Sequence, residues 1–442
     1  MLGIYTVDHT MSTRKICLWG APVVLLALAG AAYYFFVDHH QIIKFGDDSK
    51  VTLLAVDFGK KHVPPPIKAT SGARPRRGNQ FTTTNDTLVL WVQQQSDPKE
   101  WHNFEYYVTD KAGNSCVQAM QYSGGGGRGN DIVGLRVDAF PRRQNKFYIR
   151  VQENSNGNNE MAEKKFVVSN PFRGLVTDWT PQSLPVTSDD EDVSVTLTKL
   201  VAGAPMGYTR GDTDTDDPIN KGVEATFHVE RNGAPVNNWQ PVSVVTTDAT
   251  GNSINGYVNR NSQLHDDSTA TYQWGLWTDE PAWKVRFEFS QQSDFAYNEL
   301  WTVPNIPVVD GKRNDFWNYN ARKASNNVPV AETDLSGIHV KIFPAINFTD
   351  AGNSQPNGGL TIETDAPNLD GMRMTVKIAD DHANNIDFWD SGTWNNNKVT
   401  THRYGIREML DATNLTVSVA LHKSRYVEFT VKPQKATTTD SQ

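Results

Sequence analysis

The chain has 442 residues, a formal net charge of −8, a sequence pI near 5.8, 38% hydrophobic residues and two cysteines. That length allows two to four domains. The acidic balance argues against nucleic acid as a partner, and the basic run Lys68–Arg77 is local and reads as a solvated loop. Cys17 and Cys116 fall on opposite sides of a hydrophobic boundary, which excludes a disulfide-stapled scaffold.

That boundary is Ile16–Val37, a run of 22 residues without a charge. As a helix it would be about 33 Å long, enough for a hydrocarbon core of roughly 30 Å. Arg14 and Lys15 precede it and Asp38 follows. The run is expected to be an uncleaved transmembrane anchor. The positive-inside rule then makes residues 1–15 a short cytoplasmic tail and puts the rest of the chain in the periplasm or outside the cell. A cleaved signal peptide, cut near Ala27-Leu28-Ala29 or Ala29-Gly30-Ala31, is the alternative. The continuation through Tyr33, Tyr34, Phe35, Phe36 and Val37 argues against it, because a cleavage region turns polar. Met1 and Met11 are both possible starts.

Beyond the anchor the pattern is short alternating runs rich in Val, Thr, Ile, Phe and Tyr, broken by Gly, Asn, Asp and Pro. This predicts antiparallel β-sandwiches. The runs also repeat. Each copy opens on a strand at Val51, Val195 or Val340, so the openings are 144 and 145 residues apart. Each then carries a turn: Asp110-Lys-Ala-Gly113-Asn114, Asp248-Ala-Thr-Gly251-Asn252, or Asp380-Asp-His-Ala383-Asn384. Asp bonds its own backbone, and Gly or Asn accepts a left-handed conformation. Each copy closes on two strands, the last ending at Pro171, Pro307 or Pro433. The expected fold is therefore all-β, with three tandem immunoglobulin- or fibronectin-like sandwiches over residues 45–172, 186–310 and 330–436.

The loop Asp212-Thr-Asp214-Thr-Asp216-Asp217 could direct alternate carboxylates at one Ca²⁺. It is not an EF-hand, because Asp217 stands at the sixth position and Val223 at the twelfth. A solvated acidic loop is the simpler reading. Asp189-Asp190-Glu191-Asp192 reads as an acidic linker. Trp274 and Trp277 could stack on sugar rings, whereas Trp283 begins an alternating strand and is expected in the core. No GxSxG, phosphate-loop or CxxC motif occurs, and no catalytic residue is assigned.

With its short N-terminal tail, single anchor, opening strand Val51-Thr-Leu-Leu-Ala-Val-Asp-Phe-Gly-Lys and repeated Asp-x-x-Gly-Asn turns, the chain resembles uncharacterised bacterial single-pass membrane-anchored proteins with immunoglobulin-like repeats. The resemblance implies a fold and a location but no activity, and no functional residue carries over. The expected role is a non-enzymatic structural or interaction protein of the cell envelope, touching an envelope protein or glycan. A calcium-dependent or carbohydrate-binding module in the middle repeat is the first alternative, and an enzyme with an inter-module site the second.

Overall fold

In a computed structural model the described residues run from 41 to 436, leaving out 46–48, 67–75, 78–79, 97–101, 113, 124–129, 156–162, 173, 206–220, 259–267, 274, 318–327, 351–355, 367–368, 370, 396–397 and 408–411. The expected anchor Ile16–Val37 lies outside the described residues. Among those described, no helix is long and apolar enough to cross a membrane. They form an all-β protein with several sheets, in two compact units, Met1–Val176 and Thr177–Gln442.

The first unit holds β1 (Gln41–Lys44), β2 (Lys50–His62), β3 (Arg76–Arg77), β4 (Phe81–Gln95), β5 (His102–Thr109), β6 (Ser115–Gln118), β7 (Met120–Ser123), β8 (Asn130–Val137), β9 (Lys146–Ser155) and β10 (Glu163–Ser169). One sheet runs β1-β2-β4-β8-β3, with β7 also on β8, and the other runs β10-β9-β5-β6. A buried hydrogen bond of 2.8 Å from Gln94 Nε2 on β4 to Tyr106 Oη on β5 ties one sheet to the other. Burial raises the Tyr106 phenol above its usual pKa.

The second unit begins with β11 (Val186–Asp190), β12 (Val193–Pro205), β13 (Lys221–Arg231), β14 (Ala234–Pro235), β15 (Trp239–Asp248), β16 (Ser253–Val258), β17 (Ser268–Gln273), β18 (Trp283–Gln291) and β19 (Leu300–Gly311). A five-residue helix, α1 (Arg313–Trp317), follows. Then come β20 (Ala331–Leu335), β21 (Ile338–Ile342), β22 (Ala345–Phe348), β23 (Gly358–Thr364), β24 (Met372–Asp380), β25 (Phe388–Asn395), β26 (Thr400–Ile406), β27 (Asn414–Lys423), β28 (Arg425–Val431) and β29 (Gln434–Lys435).

These strands build two bodies. A ten-stranded sheet runs β11-β12-β13-β17-β16-β15-β18-β28 and turns back on itself. Its two halves therefore face each other, with Phe227 on β13 at 4.8 Å from Phe287 and 5.2 Å from Phe289, both on β18. A nine-stranded sheet runs β20-β21-β23-β22-β19-β27-β24, with β26 joining β23 to β25. It closes around Val340, Ile342, Leu360, Ile362, Ile378, Val417 and Val419.

The three Asp turns form with one geometry. Asn114, Asn252 and Asn384 each donate a backbone N–H to Oδ1 and a side-chain amide to Oδ2 of the Asp four residues earlier, at 2.7–3.1 Å. Gly251 and Ala383 take the positive φ that the turn requires, +89° and +64°.

Two consecutive pairs of strands part company between the two bodies. β19 follows β18, yet it forms its ladder with β27, from Leu300↔Ala420 to Pro307↔Asn414. β28 follows β27, yet it pairs with β18, from Trp283↔Val431 to Phe289↔Arg425. The strands expected from sequence to close the second and third repeats are thus exchanged. The physical reason lies at Ser424, the single residue between β27 and β28. A hairpin needs a loop of at least two residues, so β28 cannot fold back on β27 and runs on into the neighbouring sheet.

Candidate functional site

The exchange creates a seam, and the polar groups of the second unit converge on it. β18 brings Glu288 and Ser290, β24 brings Arg373, and the β27–β28 crossing brings His422, Ser424 and Arg425. Glu288, 8% exposed, accepts Arg373 Nε and Nη2, both at 2.6 Å, in a two-pronged ion pair. It also accepts Ser243 Oγ at 2.7 Å and Ser424 Oγ at 2.8 Å. Burial alone would raise this carboxyl, but Arg373 and the two hydroxyls outweigh it and hold the pKa down at about 2.

His422 is buried beside this pair. Its Nε2 accepts the Gln291 N–H at 3.1 Å and lies 2.9 Å from Ser290 Oγ. An acceptor role for Nε2 places the neutral ring's hydrogen on Nδ1, which is buried without a partner. Burial, and after it the charges of Arg373 and Arg425, depress its pKa to about 4. A second ionic knot closes the seam from outside. Asp192 accepts Arg231 Nε at 2.6 Å and Arg425 Nη2 at 2.8 Å, while Glu191 takes Lys423 and, at 3.1 Å, Arg425. The run expected to be an acidic linker is therefore a turn, with Glu191 at φ +55°, that clamps a strand more than 230 residues further on.

A cavity of about 720 Å³ opens along the seam. One wall carries Gln240, Pro241, Ser290 and Tyr426; the other carries Met372 through Val376, Trp389 and His402. The volume is within the usual range of ligand pockets. His402, 7% exposed, leaves Nε2 without a hydrogen-bond partner, and burial depresses its pKa to about 4.

Two arrangements look like fragments of catalytic machinery, and the geometry argues against both. Ser290 and His422 form a serine–histidine contact, but the Nε2 lone pair is shared with a backbone N–H, and the depressed pKa makes the imidazole a poor base near neutrality. In the first unit Asp57, His62 and Thr83 line up, with Asp57 Oδ2 at 3.0 Å from Nδ1 and Thr83 Oγ1 at 3.5 Å from Nε2. Thr83 donates its hydroxyl proton at 2.8 Å to the Asn85 carbonyl, away from the imidazole.

Of the residues singled out from sequence, Asp212, Asp214, Asp216, Asp217 and Trp274 lie outside the described residues. Trp277 is 2% exposed and its carbonyl accepts Trp283 Nε1 at 3.1 Å, so its ring offers no open face for a sugar. Trp283 is fully buried, as its strand pattern indicates. Asp380, Asp381 and His382 bring ligand-type atoms within 4.8 Å of one another, but both Asp380 oxygens already serve the turn. The sequence reading missed Glu288, Arg373, His402 and His422. The available signal was the stretch Phe287-Glu288-Phe289-Ser290-Gln291, where polar residues interrupt an apolar strand without being exposed. Against known proteins, the chain matches no family model and no curated sequence.

Proposed function

We propose that the protein is a membrane-anchored, extracytoplasmic structural or interaction protein, held by Ile16–Val37 and presenting three immunoglobulin- or fibronectin-like sandwiches. Recurrence of one strand order supports the fold reading. In the first repeat β2-β4-β8 stands with β6-β5-β9-β10, in the second β12-β13-β17 with β16-β15-β18-β28, and in the third β21-β23-β26 with β24-β27-β19. The exchanged strands carry the functional part. They join the second and third repeats by two β-crossings rather than by a flexible linker, which suits a stiff presenting element better than a hinged enzyme.

Membrane fractionation tests the anchor. The full chain is expected to stay in the pellet through an alkaline wash, and a variant lacking residues 1–40 is expected in the supernatant; release of the full chain would sink the reading. Spin labels on β13 and β21 test stiffness. One narrow distance distribution is expected, and a broad one speaks against a presenting element.

A further inference from the structure

The cavity is lined by six consecutive residues, Gly371 to Val376. Successive side chains of a strand point to opposite faces. Only a cavity that wraps the strand's edge can touch them all, so the edge of β24 borders it. β24 pairs with β27 alone, through nine unbroken residue pairs from Met372↔Lys423 to Asp380↔Leu415.

The direction of the unused backbone groups follows from one hydrogen bond. Ile386 N–H donates to the Ile378 carbonyl at 3.0 Å, on the side away from β27. Backbone groups alternate along a strand, so those of Met372, Met374 and Val376 face the same way, into the cavity. In the other two repeats the chain returning from the Asp turn covers more of this edge. Ala119 N–H reaches the Tyr106 carbonyl at 2.8 Å, four residues before Asp110, and β16 reaches Val244, four residues before Asp248. In the third repeat the cover stops at Ile378, two residues before Asp380.

The uncovered part of β15 is blunted by Pro241 and a register shift between Pro241 and Ser243, both common devices against strand addition. Met372–Val376 has neither. The cavity beside it offers apolar side chains (Met372, Met374, Phe388), and just past its lining the exposed Lys377 follows Val376, with no ion pair among the described residues.

We propose that β24 accepts an extended peptide strand from a partner protein. The guest pairs with the backbone of Met372, Met374 and Val376. It sends alternate apolar side chains into the cavity and an acidic side chain to Lys377. Main-chain pairing supplies affinity and the alternate pockets supply selectivity. This rests on the interaction reading above but not on the membrane anchor, so it is tested on the detergent-solubilised full chain.

A random octapeptide library displayed on phage is selected on that protein. Enrichment of alternating apolar sequences with an acidic residue at a fixed position is expected. Synthetic copies should bind Met374→Pro at least about tenfold more weakly, because proline removes one outward N–H while leaving the β27 ladder intact. Lys377→Ala should erase the acidic preference alone. Amide exchange covers the case of a misfolded proline variant: in the wild type, Met372, Met374 and Val376 should exchange rapidly and become protected when peptide binds. No enrichment over the proline variant, or protection elsewhere, overturns the proposal. Concentration-dependent dimerisation abolished by Met374→Pro also overturns it, by giving the edge to a second copy.

Discussion

His422→Gln should make the second unit less sensitive to acid. His422 is 1% exposed, and its Nε2 lone pair is engaged by the Gln291 N–H, so protonation would break that bond and bury a charge near Arg373 on β24 and Arg425 on β28. Glu288 on β18 is the one charge that favours protonation, and burial outweighs it. The sign follows from the depressed pKa. Above pH 6.5 the ring is neutral in both folded and unfolded chains and contributes nothing. As the pH falls from 6.5 towards 4, the unfolded chain binds a proton that the folded one refuses, so stability falls. With a folded pKa of about 4, the loss at pH 5 is about 2 kcal/mol for this residue. His402, also at about 4, contributes a second loss of similar size. Each corresponds to roughly 4–8 °C in the melting temperature of a unit this large. The glutamine oxygen can accept the same N–H, so the variant keeps the contact without the titration. Melting of the full chain at pH 7 and pH 5 reads the result. Measuring above pH 4.5 keeps the carboxylates out of the comparison, since Glu288 lends its stability above that value and loses it only as the pH falls towards 2. The wild-type transition of this unit should drop about twice as far as that of His422→Gln. Equal drops, or no wild-type drop, would refute the assignment.

Arg373→Met should cost about 1–3 kcal/mol, because the arginine is part-exposed and Glu288 keeps the Ser243 and Ser424 hydroxyls, and most of that should return in the Arg373→Met, Glu288→Gln double variant; a urea-unfolding double-mutant cycle measures the coupling. Asp248→Ala should cost about 2–3 kcal/mol in the same assay, since it removes a buried carboxylate that accepts from Thr250 and Asn252. Asp380→Ala should cost less, because water can serve that exposed turn.

What the sequence could reveal divides along a physical line. Alternation reports which face of a strand is buried, and an Asp-x-x-Gly-Asn turn bonds within five residues. Trp283 in the core and the three turns were therefore legible from local pattern alone. Pairing partners are not encoded in period. The patterns of β19 and β28 mark them as strands but do not say that each belongs beside the other repeat. The seam is equally non-local: Glu288 meets Arg373 across 85 residues and Ser424 across 136. His422 has no neighbouring ligand or base at a telling spacing, and the Asp189–Asp192 run resembles a solvated linker until Arg231 and Arg425 close on it.

The exchange also changes where the last described strands lie. β28 lies in the ten-stranded sheet, Gln182 N–H donates to the Thr430 carbonyl at 2.7 Å, and β29 pairs in parallel with β12. These last described strands thus return beside the first residues of the unit, and the nine-stranded body is joined to the ten-stranded one by two crossings. Ending the chain after Ser424 separates this arrangement from one in chain order. In chain order the cut would remove the closing strand of the third repeat and spare the second. With the strands exchanged it removes Val427, Phe429 and Val431, all fully buried, from the ten-stranded body. Three such side chains are worth about 5–9 kcal/mol, as much as a whole domain's stability. The nine-stranded body keeps β19 and its core. Amide exchange on the truncated chain should therefore show β12–β18 losing protection while β21, β23 and β27 keep it. The opposite pattern would mean that β28 closes the third repeat after all.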